Sequence, residues 1–371
     1  MNIYLTDYRT ASTTNIELLD DIVYPQYVNW FPETYERVKS GMFYVPHRIA
    51  DKVLDVQLIK EIKENKFGKT AFILAGGNAH FAGIGPRSYP DNKLSYIYRF
   101  LPFSLTQVYA GRTAQLFGEV DLINTDASAC ASSLKVMMDV QNLIRYYDFD
   151  RVIVLTVEDS ITNAVLEFFG ESKAVLTAKQ EDEGIKPSAF DSKNFGFRIG
   201  QGSALAIFDS ERMIEKTGKK PKAMMLGSYS ASEASTNAIG QLEDGSGYIK
   251  AINGALAYSQ VFPSDIKIVK THGTGTASNN ASEKNALFNT LTNFVATSYK
   301  QKIGHTMGSS GLLETLLLLN DIQNGIVPSI ENRTENDPIF LSKNVEVPQG
   351  LILSLAAGMG NIYSAAIFKG L

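Results

Sequence analysis

The 371-residue chain has a single cysteine, a single tryptophan and only four histidines. One cysteine cannot close an intramolecular disulfide, which points to a reducing compartment. Positive charge is not in excess either: 35 lysines and arginines against 39 aspartates and glutamates leave a formal net charge of -4. A nucleic-acid binder needs a basic surface to neutralise phosphates, and this balance argues against one. Long apolar runs are missing as well. GLLETLLLL, near the C-terminus, is short and carries Glu314, so it reads as a core helix and not a membrane span. The N-terminus, MNIYLTDYRTAST, lacks a basic segment followed by an apolar one, so no signal peptide is read there. A cytoplasmic protein without a membrane span is expected.

What is present is ordinary globular composition, 44% hydrophobic and 20% charged, in a chain long enough for a large core or two domains. TAFILAGG (70–77), RVIVLTVED (151–159) and SALAIFD (203–209) read as buried strands. The stretch 131–147 between the first two is apolar on most faces, as a helix packed on both sides should be. A Lys-rich connector, ERMIEKTGKKPK (211–222), reads as a solvated loop. Beyond it KAMMLGSYS, IKIVKTH, VATSY and GLILSLAA look like strands, and 247–261, 281–294 and 311–322 look like helices. Alternating strands and helices predict a layered α/β architecture. The expected organisation is two halves of similar topology, 1–210 and 211–371, without a residue-level repeat.

The lone cysteine stands in TDASACASSLKVMMD, flanked by alanines and serines just before a helix. A sulfur at a helix N-terminus meets unpaired N–H groups and the positive end of the helix dipole, both of which favour thiolate. A buried structural cysteine is the alternative from this segment alone. Histidine tips the balance. His47 and His80 stand in unremarkable loops, whereas His272 and His305 share an unusual setting. VKTHGTGTASNNASEKNAL places His272 after a strand, before Gly-Thr-Gly-Thr and a helix. TSYKQKIGHTMGSSGLLETL repeats the plan around His305: strand, glycine, histidine, small-residue turn, helix. Strand ends are where open α/β sheets present their chemistry, and both histidines follow the half that bears Cys130.

These motifs resemble a known family. DASACASSL, HGTGT and KQKIGH…GSSG are similar to the active-site signatures of β-ketoacyl synthases, closest to the branch with a Cys-His-His triad. The resemblance also takes in AFDSKNFGFRIGQGSALAIF, GIVPSI and LAAGMGN. It implies a thiolase-like, five-layered αβαβα fold built from two similar halves, as a homodimer or ketosynthase heterodimer. RFLPFSLTQVYAGRTAQLFG corresponds to the family's segment by the dimer contact and acyl tunnel.

By position, the resemblance makes Cys130 the nucleophile that takes an acyl group from an acyl carrier protein. The backbone N–H groups of Cys130 and Met359 would form the oxyanion hole, with Gly358 and Gly360 around Met359. His272 and His305 would bind the malonyl thioester carbonyl and stabilise the enolate left by CO₂. Thr274 and Thr276 of the HGTGT turn would help bind substrate. Lys300 matches a family lysine, and Glu283 its acidic partner, expected to supply the lysine's counter-charge. The reaction is a decarboxylative Claisen condensation in fatty acid, polyketide or aryl-polyene-type synthesis. It needs no metal or organic cofactor, since the phosphopantetheine arm arrives with the carrier.

Several positions depart from the family pattern. Its bulky Phe is Met359 here, its acidic residue between two glycines is Gln201, and an Asp after the first His is Asn280. The segment before Cys130 is short for the family, which suggests a trimmed entrance. Thiolases need a second cysteine, and the initiating branch would have Asn in place of His305. A chain-length-factor-like, non-catalytic partner usually lacks the nucleophile. A His₂Cys metal site lacks the usual short ligand spacings.

Overall fold

The computed structural model describes residues 1–12, 50, 52–77, 106–158, 165, 168–170, 174–233, 235–237 and 239–371. The strands are β1 (Ile3–Ser12), β2 (Thr70–Ala75), β3 (Leu122–Asp126), β4 (Arg151–Glu158), β5 (Gly202–Ser210), β6 (Ala223–Ser232), β7 (Ile266–Lys270), β8 (Val295–Thr297), β9 (Ile326–Val327), β10 (Val345–Glu346), β11 (Leu351–Gly358) and β12 (Ile362–Gly370). The helices are α1 (Val56–Glu64), α2 (Thr106–Ala114), α3 (Ser132–Tyr146), α4 (Ala178–Asp182), α5 (Glu211–Thr217), α6 (Ser246–Ser259), α7 (Ala277–Thr290), α8 (Lys300–Ile303) and α9 (Ser310–Gln323).

Ten strands make one mixed sheet in the order β3-β2-β4-β5-β1-β6-β12-β11-β7-β8, with β9 and β10 as a separate ribbon. Read outward from the β1–β6 contact, the two sides repeat: first strand, fifth, fourth, second, third. Pairing directions repeat too, with the outer three strands of each side parallel and the inner pairings antiparallel. A topological duplication therefore exists without a legible sequence repeat.

The pleat sorts side chains into layers. On β2, Ala71 and Ile73 face the central core, while Phe72 and Leu74 face α1 and α2. On β11, Ile352 and Ala356 face the centre, while Leu353 and Leu355 pack against α6 and α7. Between the two sides lie α3 and α9, whose leucines, valines and Met137 are buried against both. The result is five layers, helix–strand–helix–strand–helix. Because α3 is covered on two sides, even its Ser132, Ser133 and Gln141 are buried.

Three expectations shift. The Lys-rich connector begins with a helix, α5, capped by Ser210 accepting from the Met213 N–H and ended by Gly218 in the left-handed region. The helix expected at 281–294 runs over Ala277–Thr290, because its first turn is polar and carries no apolar signal. Strands β1, β3 and β12 were not anticipated; β3 is a short edge strand of largely polar sequence. Among the described residues no helix is long and apolar enough to cross a membrane. His47, His80 and residues 99–105 lie outside the described residues.

Candidate active site

Cys130 sits in a single 3₁₀ turn, Ala129–Ala131, between β3 and the central helix α3. The turn is strained: Ala129 has φ 48°, a region that L side chains avoid. Its counterpart on the other side of the duplication is the turn Met307–Ser309 before α9, where Met307 has φ 43°. The two turns face each other. Cys130 Sγ lies 4.0 Å from Met307 Sδ, and the Leu312 N–H donates to Ser133 Oγ at 3.0 Å. Two residues before Met307 is His305.

His305 is pinned through its backbone. Its N–H donates to the Arg198 carbonyl at 2.7 Å, and its own carbonyl accepts from Gly200 N–H at 3.0 Å. This explains the glycines of FGFRIGQG. A Cβ on Gly304 (φ 73°) would meet Gly200 Cα at 2.8 Å, so the two chains touch only because neither carries a side chain. The imidazole Nδ1 shares a 2.9 Å hydrogen bond with Ser310 Oγ, and the ring stands edge-on to Phe197 at 4.9 Å. Phe197, Ile199 and Met307 belong to the same small apolar cluster as Cys130.

His272 follows β7, and its ring meets that of His305 edge to face with centroids 5.7 Å apart. Glu283 holds the turn: its carboxylate accepts from the N–H groups of His272 (2.5 Å) and Gly273 (2.9 Å) and from Asn279 (3.0 Å). His272 Nδ1 is buried with no hydrogen-bond partner among the described residues. Thr274 and Thr276 bond each other at 3.0 Å, and a Cβ on Gly275 (φ 76°) would overlap the Ser188 carbonyl.

Burial governs the protonation states. It pushes both imidazoles well below their usual range, with the Lys300 ammonium adding to the effect, so both are neutral near pH 7. Burial likewise pushes the Cys130 thiol up to about 12, against the opposing pull of Lys300. The thiolate expected from the helix terminus is therefore not the resting form. Desolvation outweighs the dipole.

Lys300 does not pair with Glu283, as expected from sequence. It donates to Glu314 at 2.8 and 3.1 Å, in the middle of α9, and Lys270 approaches the same carboxylate at 3.3 Å. Glu283 is occupied by backbone N–H groups instead. The hairpin between β11 and β12 completes the site. Gly358 lies directly on the Cys130 turn, where a Cβ would come 2.6 Å from the Ser128 carbonyl oxygen, and Met359, partly exposed, follows it. Gly360, with φ 86°, has open space around it. Among the described residues no group of three or more His, Cys, Asp or Glu is arranged to hold a metal ion.

Comparison with known proteins places the chain in a family. The family described as Beta-ketoacyl synthase, N-terminal domain matches residues 56–212, and Beta-ketoacyl synthase, C-terminal domain matches residues 222–334. The chain belongs to the β-ketoacyl synthase family. Two relatives of this chain are a mitochondrial 3-oxoacyl-[acyl-carrier-protein] synthase of Arabidopsis thaliana, 25% identical over 71% of the chain, and the tetracenomycin polyketide synthase ketoacyl synthase alpha subunit of Streptomyces glaucescens, 28% identical over 72%. The matches span only 58% and 64% of those relatives' own lengths. Among solved structures, a type II PKS acyl-carrier protein in complex with its ketosynthase bound to the hexaketide gives a TM-score of 0.77 at 19% identity, covering 100% of this chain and 99% of that one. The ishigamide ketosynthase/chain length factor gives 0.68 at 15%, again covering 100% and 99%. At such identities they establish the thiolase-like fold.

Several residues of this candidate site escaped the sequence reading. Glu314 is a charge inside the apolar run GLLETLLLL, a visible signal that something must neutralise it. Lys270, Ser310, Asn279 and Phe197 carried no comparable signal; only the fold brings them to the histidines.

Proposed function

We propose that the chain is a condensing enzyme that performs decarboxylative Claisen condensation between a Cys130-bound acyl group and a malonyl group on acyl carrier protein. The observation that carries this reading is the strained Cys130 turn packed on Met307, two residues from one of two adjoining, buried, neutral imidazoles, in a chain of this family. In the first half-reaction the Cys130 sulfur attacks the carrier thioester, its proton passing to a neutral imidazole, and the carrier thiol leaves. A soft sulfur suits both attack and later departure. The N–H groups of Cys130 and Met359 receive the developing oxyanion, Gly358 giving the hairpin its close approach.

In the second half-reaction the malonyl carboxylate leaves as CO₂. Negative charge builds on the thioester carbonyl, where His272 and His305 act as preorganised donors. The unpartnered Nδ1 of His272 leaves its hydrogen-bonding capacity free for a ligand or for a shift of tautomer. The resulting carbanion attacks the acyl-Cys130 carbonyl, and the cysteine sulfur is released. Lys300 with Glu314, and Glu283 beneath the His272 turn, hold these groups in place, while Thr274 and Thr276 face the carrier's arm. The partners are acyl- and malonyl-loaded carrier protein and a second ketosynthase subunit, identical or not; the phosphopantetheine arm belongs to the carrier and no resident cofactor takes part.

The test is acylation of purified protein by acyl-loaded carrier protein, read by intact mass. Cys130→Ala should abolish the mass gain, whereas His305→Ala should spare acylation more than condensation. No mass gain on wild-type Cys130 favours a chain-length-factor-like partner instead. Equal loss of both steps in His305→Ala contradicts the assigned roles.

A further inference from the structure

Lys270 ends β7 two residues before His272, and strand alternation decides where its side chain goes. Ile268 faces the central layer, Val269 the outer one, and Lys270 the centre again, fully buried. A lysine is almost never completely buried without partners. This one donates to the Leu355 carbonyl on β11 at 2.7 Å and lies 3.3 Å from Glu314 on α9. Lys300 reaches the same carboxylate from α8, so two ammonium groups share one carboxylate. One lysine would suffice for a simple ion pair, and a second buried cation costs desolvation energy that the pair alone does not recover.

We propose that Lys270 is a positioning residue of this site, tying the His272 turn, the helix behind His305 and the strand that ends beside Met359 into one register. The proposal rests on the function given above. Each tie is short in sequence. Lys270 is two residues from His272, Leu355 four residues from Met359, and Glu314 lies on the helix whose Ser310 bonds His305 Nδ1. Its charge has a second effect. The charged and titratable groups acting on Lys270 include Glu314, Lys300 and Glu283, and both imidazoles feel its ammonium as opposition to protonation. Removing that charge makes the imidazoles easier to protonate.

The test uses Lys270→Met and Lys270→Gln in the full chain, with folding checked by thermal unfolding. Imidazole titrations are followed by NMR of histidine-labelled protein, assigned with His272→Asn and His305→Asn. In a folded variant at least one of the two imidazoles should titrate at higher pH than in wild type. The kcat of condensation should fall about tenfold with little change in KM, the pattern of lost alignment at the reacting groups. Unchanged titration or unchanged kcat in a folded variant overturns the proposal. Failure of both variants to fold also overturns it, in favour of a purely structural lysine. Should wild-type protein lack condensing activity, the proposed function fails by itself, and the titration still decides the role of Lys270.

Discussion

The contact between Gly358 and the nucleophile turn offers a test of the oxyanion hole that removes no polar group. In Gly358→Ala the added Cβ would stand 2.6 Å from Ser128 O and 3.1 Å from Ala131 N, whereas ordinary contact begins at 3.4 Å. Relief requires the hairpin to retreat by about 0.8 Å, an overpacking of the kind that costs roughly 1–3 kcal/mol. Gly358 has ordinary strand geometry, paired with Ile362, so backbone strain adds nothing. The nucleophile turn cannot yield easily, because the Ser128 carbonyl is held by the Ala131 N–H at 3.1 Å. The hairpin moves instead and carries the Met359 N–H with it. Losing one oxyanion donor costs about 10²–10³ in rate, so acylation of Cys130 should slow by about 10² while the protein stays folded. Intact-mass kinetics with acyl-loaded carrier protein measure this. Alkylation of Cys130 by iodoacetamide, which builds no oxyanion, should be nearly unaffected. Wild-type acylation in a folded variant, or alkylation falling in step with acylation, refutes the assignment.

Other consequences follow from burial. Folded His272 and His305 resist protonation that the unfolded chain accepts below about pH 6.5, so stability should fall as pH drops through that point. The loss should approach roughly 1.4 kcal/mol per pH unit for each imidazole; urea unfolding at stepped pH shows it, and a flat profile contradicts the neutral pair. With the Cys130 thiol pushed up to about 12, alkylation should keep accelerating with pH through the usual thiol range; a plateau near neutrality would mean a preformed thiolate. Glu283→Ala strands the N–H groups of His272 and Gly273 and the Asn279 amide in the interior. At about 1–3 kcal/mol for each of the three unpaired groups, thermal unfolding should reveal a loss of about 3–9 kcal/mol.

How much of this was legible in the chain depends on the range of the interactions. Local pattern placed α3, β4 and β5 correctly, because continuous apolar runs leave a mark in the residues themselves. The proposed triad was legible as a pattern for a related reason. Cys130, His272 and His305 each stand in a stretch of small residues that backbone approach demands, and Gly304 against Gly200 shows why the glycines are there. The counter-ion of Lys300 was not legible. Glu283 and Glu314 are both acidic and both within reach in sequence, and choosing between them requires knowing that backbone N–H groups already fill Glu283.

The protonation state of the cysteine likewise belonged to the tertiary structure. Sequence places the sulfur before a helix, where the dipole favours thiolate, but burial by Phe197 and Ile199 of its own half and Met307 of the other outweighs that local field. The residues alone therefore determined which side chains are candidates for the chemistry and the small-residue turns that carry them. Tertiary packing decided their partners and their charges, because desolvation and ion pairing depend on what surrounds a group in space and not on what adjoins it along the chain.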